Sequence, residues 1–171
     1  MTKPFAAAFG VALAVIGLLV WQGFISTAGN HLVPAGKIGK VRSQKVDDKE
    51  VIVIVDFSLK NDADIAMVVR TIEATLETAD GSKVNGSMIA VADLANFFRN
   101  YSGLNDQGKA GTIGEQYNPP LRPRDSVAGH QTVDRMVGIR FDVAEETVEN
   151  RKGIMLRIED ITGPVLELKA K

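Results

Sequence analysis

Apolar and polar residues alternate with a period of two over most of the chain. Lys49-Glu50 leads into VIVIVDFSLK, Val51–Lys60, where Val51, Val53, Val55, Phe57 and Leu59 point one way. Ile52 and Ile54 lie on the opposite face, which predicts a central strand covered on both sides at its start. After an Asn61-Asp62-Ala63-Asp64 turn, Val68–Thr78 sets Val68, Ile72, Ala74 and Leu76 against Thr71, Glu73, Thr75 and Glu77. Asp80-Gly81 is a hairpin signal, because glycine accepts the positive φ of the primed turns, and Lys83–Met88 is its return strand. Thr132–Val143 aligns Val133, Val137, Ile139, Phe141 and Val143, and Ile154–Asp160 aligns Ile154, Leu156 and Ile158. Gly163-Pro164 turns the chain into a short last strand, Val165–Leu168, and Lys37–Val46 is a weaker candidate for the first. About seven strands separated by turn signals predict an all-β fold, a β-sandwich.

Two stretches change period. In Ala92–Tyr101 the spacing of Leu94, Phe97, Phe98 and Tyr101 is that of an amphipathic helix, with Asp93 as its expected cap. Glu145–Lys152 places acids first and bases last before Gly153, which matches a short helix to its dipole. Residues 102–126 show no pattern and read as a long loop.

The N-terminal segment is apolar on every face. Phe5–Ile25 is 21 residues with Gln22 as its only strongly polar side chain and Trp21 near one end. As a helix it reaches roughly 30 Å, about one bilayer core. Its length favours an uncleaved signal anchor over residues 1–28, with the domain outside the cytoplasm. The alternative is a signal peptide cut after Ala28, behind the small residues Ser26 and Ala28. Residues 29–36, with Pro34 and Gly36, read as a linker, and 37–171 as the domain.

Composition then narrows the function classes. There is no cysteine, and His31 and His130 are the two histidines, so disulfides, thiol catalysis and Cys-based zinc sites are excluded. Lys3 is the only charged side chain before Gly29, leaving 19 basic and 21 acidic groups beyond it. Such a mixed surface does not suit nucleic acid.

The run VDFSLKNDADIAMVVRTIEATLETADGSK, with its Asn/Asp turn, long strand and D-G hairpin, resembles the opening of small exported immunoglobulin-like domains. SVAGHQTVDRMVGIRFDVAEE is similar to their later part, where a strand ending Phe-x-Val precedes an acidic helical turn. Together they resemble the telokin-like bacterial families of extracellular proteins, and more loosely the late-embryogenesis-abundant type 2 sandwich. The resemblance covers roughly Val51–Leu168 and implies an immunoglobulin-like sandwich with an extracytoplasmic address, carrying no catalytic residues. Ala128-Gly129 stands where the family pattern has Pro-Gly, and residues 92–126 are an elaboration.

No catalytic constellation is visible. His130 lies in a turn with Asp125, Ser126 and Asp134 nearby in sequence, and no G-x-S-x-G, S-x-x-K or H-E-x-x-H string occurs. The N-D-x-D of Asn61–Asp64 reads as local Asx turns, since an EF-hand glycine and glutamate do not follow. GKAGTIG, Gly108–Gly114, lacks the G-K-[ST] of a phosphate loop. Arg122 and Arg124, in PPLRPRD, are expected to face alike on a proline-extended chain, as candidate contacts for anionic headgroups or a partner's carboxylates. Phe97, Phe98 and Tyr101 either close one end of the sandwich or form an exposed docking patch rimmed by the 102–126 loop.

The expected protein is therefore non-enzymatic, without metal or cofactor: an interaction or scaffolding domain held to the bacterial inner membrane by one N-terminal span, facing an envelope protein. The alternative is an envelope protein that binds a lipid or small apolar ligand near Ala92–Tyr101.

Overall fold

Two three-stranded sheets carry the domain, and each is built around one of the alternating runs. A computed structural model describes the backbone of residues 3–28, 32–101, 114 and 118–171. The elements are α1 (Lys3–Ala28), β1 (Pro34–Asp47), β2 (Glu50–Asn61), β3 (Met67–Glu77), β4 (Lys83–Met88), α2 (Val91–Tyr101), β5 (Ser126–Val127), β6 (Gln131–Phe141), α3 (Glu145–Glu149), β7 (Gly153–Asp160) and β8 (Val165–Ala170). β2 pairs antiparallel with β1 on one side and with β6 on the other, from Val51↔Phe141 to Asn61↔Gln131. β7 likewise sits between β3 and β8. The sheets β1-β2-β6 and β3-β7-β8 face each other across Val53, Val55, Phe57, Leu76, Ile139, Phe141, Leu156 and Ile158. On the far side β1 lies beside β8 without pairing to it.

β4 ties the sheets together. Its first half pairs with β3 (Ala74↔Gly86 to Glu77↔Lys83) and its last residues, Ser87 and Met88, pair with β6. The pivot is Gly86, where a Cβ would come within 2.3 Å of the Ile139 Cγ2 and 2.7 Å of the Phe141 ring.

Strand β2 is covered on both faces, as Ile52 and Ile54 predict. Ile54 packs with Leu94, Phe97, Phe98 and Met136 in a second, smaller core between α2 and the outside of the first sheet. α2 comes this close because Gly138 of β6 has no side chain. A Cβ there would stand 2.2 Å from the Leu94 Cδ2.

Several local expectations are corrected. β1 begins at Pro34, which pairs with Asn61, and Leu32 is buried against the core. The last part of the expected linker over 29–36 is thus sandwich, while residues 29–31, and with them the bond after Ala28, lie outside the described residues. α2 starts on the carbonyl of Ala90, which accepts from the Asp93 and Leu94 N–H groups, so Asp93 is a first-turn acid rather than the cap. In β3 a bulge between Val69 and Thr71 inverts the alternation: Met67 and Val69 face inward, then Ala74 and Leu76, and Val68 is not in the core row.

Every described side chain of α1, residues 9–23, is exposed, from Phe9 at 53% to Trp21 at 66%. That stretch spans about 22 Å. Among the described residues no helix is long and apolar enough to cross a membrane.

The β3–β4 connection is a three-residue loop: Gly81 N–H donates to the Thr78 carbonyl and Thr78 N–H to the Ser82 carbonyl, with Gly81 at φ +90°. This is a type I turn closed by a left-handed glycine, instead of the primed two-residue turn. Asp80 accepts from the Thr78 hydroxyl and from the Ser82 N–H and hydroxyl, which holds its carboxyl down to about 2.

Two outcomes follow. Gly138→Ala is expected to destabilise the chain by about 1–3 kcal/mol through overpacking against Leu94. Adding Leu94→Ala removes that clash, so a double-mutant cycle by chemical denaturation should give strong favourable coupling. Because the Asp80 carboxyl is lowered on folding, its contribution is full above about pH 5 and fades as pH falls through about 4 towards 2. Melting curves of Asp80→Ala should lie below the parent's at neutral pH and converge with them near pH 2.

Candidate functional site

The edge of the sandwich that joins the two sheets is interrupted. β4 leaves β3 beyond Ala74. A second crossing segment, 119–127, runs the other way. On β6 it pairs at Met136, whose carbonyl accepts from Leu121 N–H at 2.8 Å and whose N–H donates to the Pro119 carbonyl at 3.1 Å. The segment then reaches β3, where Asp125 O accepts from Val69 N–H at 2.9 Å and β5 pairs with Met67 and Val68. Between the two crossings, residues 70–73 of β3 have no ladder partner on this side among the described residues.

A cleft of about 400 Å³ occupies the gap. Ile72, Met88, Ile89 and Leu121 form its apolar wall, and Arg70 and Arg122 stand on its rim. Arg70 is engaged with Glu159 at 3.4 Å. The guanidinium of Arg122 has no ion pair among the described residues.

The two predicted arginines do not form a fork. Asp125 N–H donates to the Arg122 carbonyl at 3.1 Å, and Arg124 has φ +75°. Proline at the second position and a left-handed residue at the third make a type II turn. Pro123 therefore bends the chain instead of extending it, and Asp125 fixes the bend by accepting from Arg122 N–H at 2.9 Å. Arg122 borders the cleft, while Arg124 is exposed beyond it and is not part of its lining.

The predicted aromatics are also placed differently. Phe97 and Phe98 are 7% and 6% exposed, packed on the outside of the first sheet, and Tyr101 stacks on Phe97 at 4.8 Å between centroids. They neither close an end of the sandwich nor present an open apolar patch. Their helical spacing leaves a polar outer face of α2, with Asp93, Asn96, Arg99 and Asn100 exposed. Residues 102–113 and 115–117, with most of the loop expected to rim them, lie outside the described residues.

Beside Phe98 lies a buried ion pair that the alternation of apolar and polar residues does not reveal. Arg42 of β1 donates to Asp56 of β2 at 2.7 Å, with both side chains under one-tenth exposed. Asn118 donates to the other Asp56 oxygen at 3.0 Å, and the Arg42 guanidinium stands 5.8 Å from the Phe98 ring centre. The visible signal was Asp56, a charge inside the run VIVIVDFSL.

The other chemistry-bearing groups serve the loops. Asn61 is fully buried; its amide donates to the carbonyls of Ile65, Val127 and Ala128, and its oxygen accepts from Ala63 N–H in the predicted Asx turn. His130, at φ +58°, faces Asp64 with 2.8 Å between Nε2 and Oδ1, and Asp62 pairs with Lys60 at 2.8 Å. Among the described residues no group of three or more acidic or histidine side chains is set to hold a metal.

No family model and no curated protein matches the chain. Among solved structures it is similar to an uncharacterized β-sandwich protein from Clostridium difficile 630, at 14% identity and a TM-score of 0.35, over 82% of this chain and 90% of that one. It is also similar to the archaellum periplasmic stator protein FlaG from Sulfolobus acidocaldarius, at 10% identity and a TM-score of 0.32, over 81% of this chain and 100% of that one. The chain is a β-sandwich by its own strand order. Neither likeness bears on its chemistry.

Arg42→Met is expected to cost about 3–5 kcal/mol, because it strands the Asp56 carboxylate under α2. The double replacement Arg42→Met with Asp56→Leu should recover most of that loss in urea denaturation.

Proposed function

We propose that this protein is a membrane-anchored, extracytoplasmic, immunoglobulin-like sandwich of the bacterial envelope, working without catalysis as an interaction or scaffolding module. The observation that carries the proposal is α1, whose described side chains are apolar almost throughout and all exposed. A helix that is hydrophobic all round needs a second apolar phase to cover it, and the sandwich does not supply one. The sequence from Phe5 to Ile25 has the length for a bilayer to do so.

The strand order supports the immunoglobulin-like reading. If β1, β2, β3, β6, β7 and β8 take the places of A, B, C, E, F and G, the two sheets are A-B-E and C-F-G, and β4 switches between them as the edge strand. The mixed charge of the surface fits a partner recognised by shape and local polar contacts. With Phe97 and Phe98 buried, the accessible candidates are the outer face of α2 together with Arg122 and Arg124.

Expression of the full chain in a bacterial host, carbonate washing of membranes and protease treatment of spheroplasts test the proposal. The sandwich should remain with the carbonate-washed pellet and be digested from outside before lysis. Release by carbonate would overturn the anchor, and protection until lysis would overturn the extracytoplasmic placement.

A further inference from the structure

From the cleft between the two crossing segments we infer a binding site for a single-chain amphiphile with an anionic head, such as a long-chain fatty acid. Three features of the site specify that class. Its wall is apolar where it enters the sandwich edge: Ile72 from β3, Met88 and Ile89 from the end of β4, and Leu121 from the second crossing. Its rim is cationic, with Arg122 free of ion pairs among the described residues and Arg70 held at 3.4 Å from Glu159. Its volume, about 400 Å³, lies in the range of small-molecule sites.

The shape decides between a lipid chain and a peptide. An extended peptide adding to the open edge of β3 would need a run of unpaired backbone. Here the open run is limited to residues 70–73, about 13 Å of strand. It is stopped at one end by the Ala74↔Gly86 pair and at the other by the hydrogen bond from Val69 N–H to Asp125 O. A peptide passing through would have to break one of these closures. A hydrocarbon tail needs only the side-chain wall of the cleft, so it breaks neither closure and leaves the backbone groups of residues 70–73 to water. Its apolar surface is removed from water against Ile72, Met88 and Leu121, while its carboxylate remains at the mouth within reach of the Arg122 guanidinium.

The expected apolar ligand is therefore sited at the entry to α2, next to Val91, and not at the α2 aromatics, which fill their own small core. The inference is independent of the scaffolding role. It needs the cleft and Arg122, and it stands whether or not α1 lies in a bilayer.

The test is photo-labelling of the full chain, in nanodiscs of a neutral phosphatidylcholine, with a diazirine-bearing palmitate, followed by peptide mapping. Label is expected on Met88–Val91 and Leu121–Pro123, displaced by unlabelled palmitate and not by hexadecyltrimethylammonium. Arg122→Glu should lower cleft labelling at least tenfold. Ala90→Trp, an exposed lining position where bulk is added without disturbing the core, should abolish it while the melting temperature is kept. Label confined to α1 would report a lipid-exposed helix only and overturn the site. Equal displacement by the cationic amphiphile, or cleft labelling indifferent to both substitutions, would overturn the anionic-amphiphile assignment.

Discussion

Water is excluded from both faces of β2 along its first half, and the layering of the domain follows from that. Val51, Val53 and Val55 face the second sheet, while Ile54 faces outward with no sheet above it. Leaving Ile54 and its neighbours wet would forfeit the burial that stabilises the strand. The cover is α2, which docks through Leu94 onto the bare backbone of Gly138. Under that cover the Asp56 carboxylate also loses water, and Arg42 and Asn118 supply the partners that make its burial tolerable.

The cover has a geometric cost at the edge of the sandwich. To place α2 outside the first sheet, the chain must leave the edge soon after Met88, so β4 guards only part of it. The stretch 119–127 returns to guard another part. Each crossing makes its own demand: the first needs a residue without a side chain at Gly86, and the second a proline turn with a left-handed Arg124. The gap at residues 70–73 is what two incomplete guards leave. The β3 bulge opens at its border, between Val69, which is bonded to the second crossing, and Thr71.

Much of this frame was legible in the order of residues, because alternation is imposed locally by the two-residue repeat of a strand. The inward rows of β2, β6 and β7 and the full extent of β4 could be read directly. The second face of β2 announced that something would cover it. What covers it was not legible: the helical spacing of Phe97 and Phe98 gives a face but not its destination. A bulge is equally silent, since one inserted residue at Val69–Thr71 reverses the rows without any signature in hydropathy. β5 is too short to show a period, and the cleft depends on Met88, Leu121 and Arg122 coming together across more than thirty positions of sequence. The three prolines around Arg122 signal restraint but not its direction, because only the hydrogen bond from Asp125 N–H to the Arg122 carbonyl distinguishes a bend from a rod.

The closeness of Leu32 to the end of α1 has a mechanical meaning. The helix ends at Ala28 and Leu32 is already buried in the sandwich, so four peptide steps, at most about 14 Å of chain, separate them. Whatever immobilises the helix therefore keeps the β-domain on a tether shorter than any strand of its two three-stranded sheets. That tether meets the domain at the end of the sandwich where Pro34 pairs with Asn61 and Asn61 with Gln131. A tether that short sets a high effective concentration between the helix and the end of the domain it reaches.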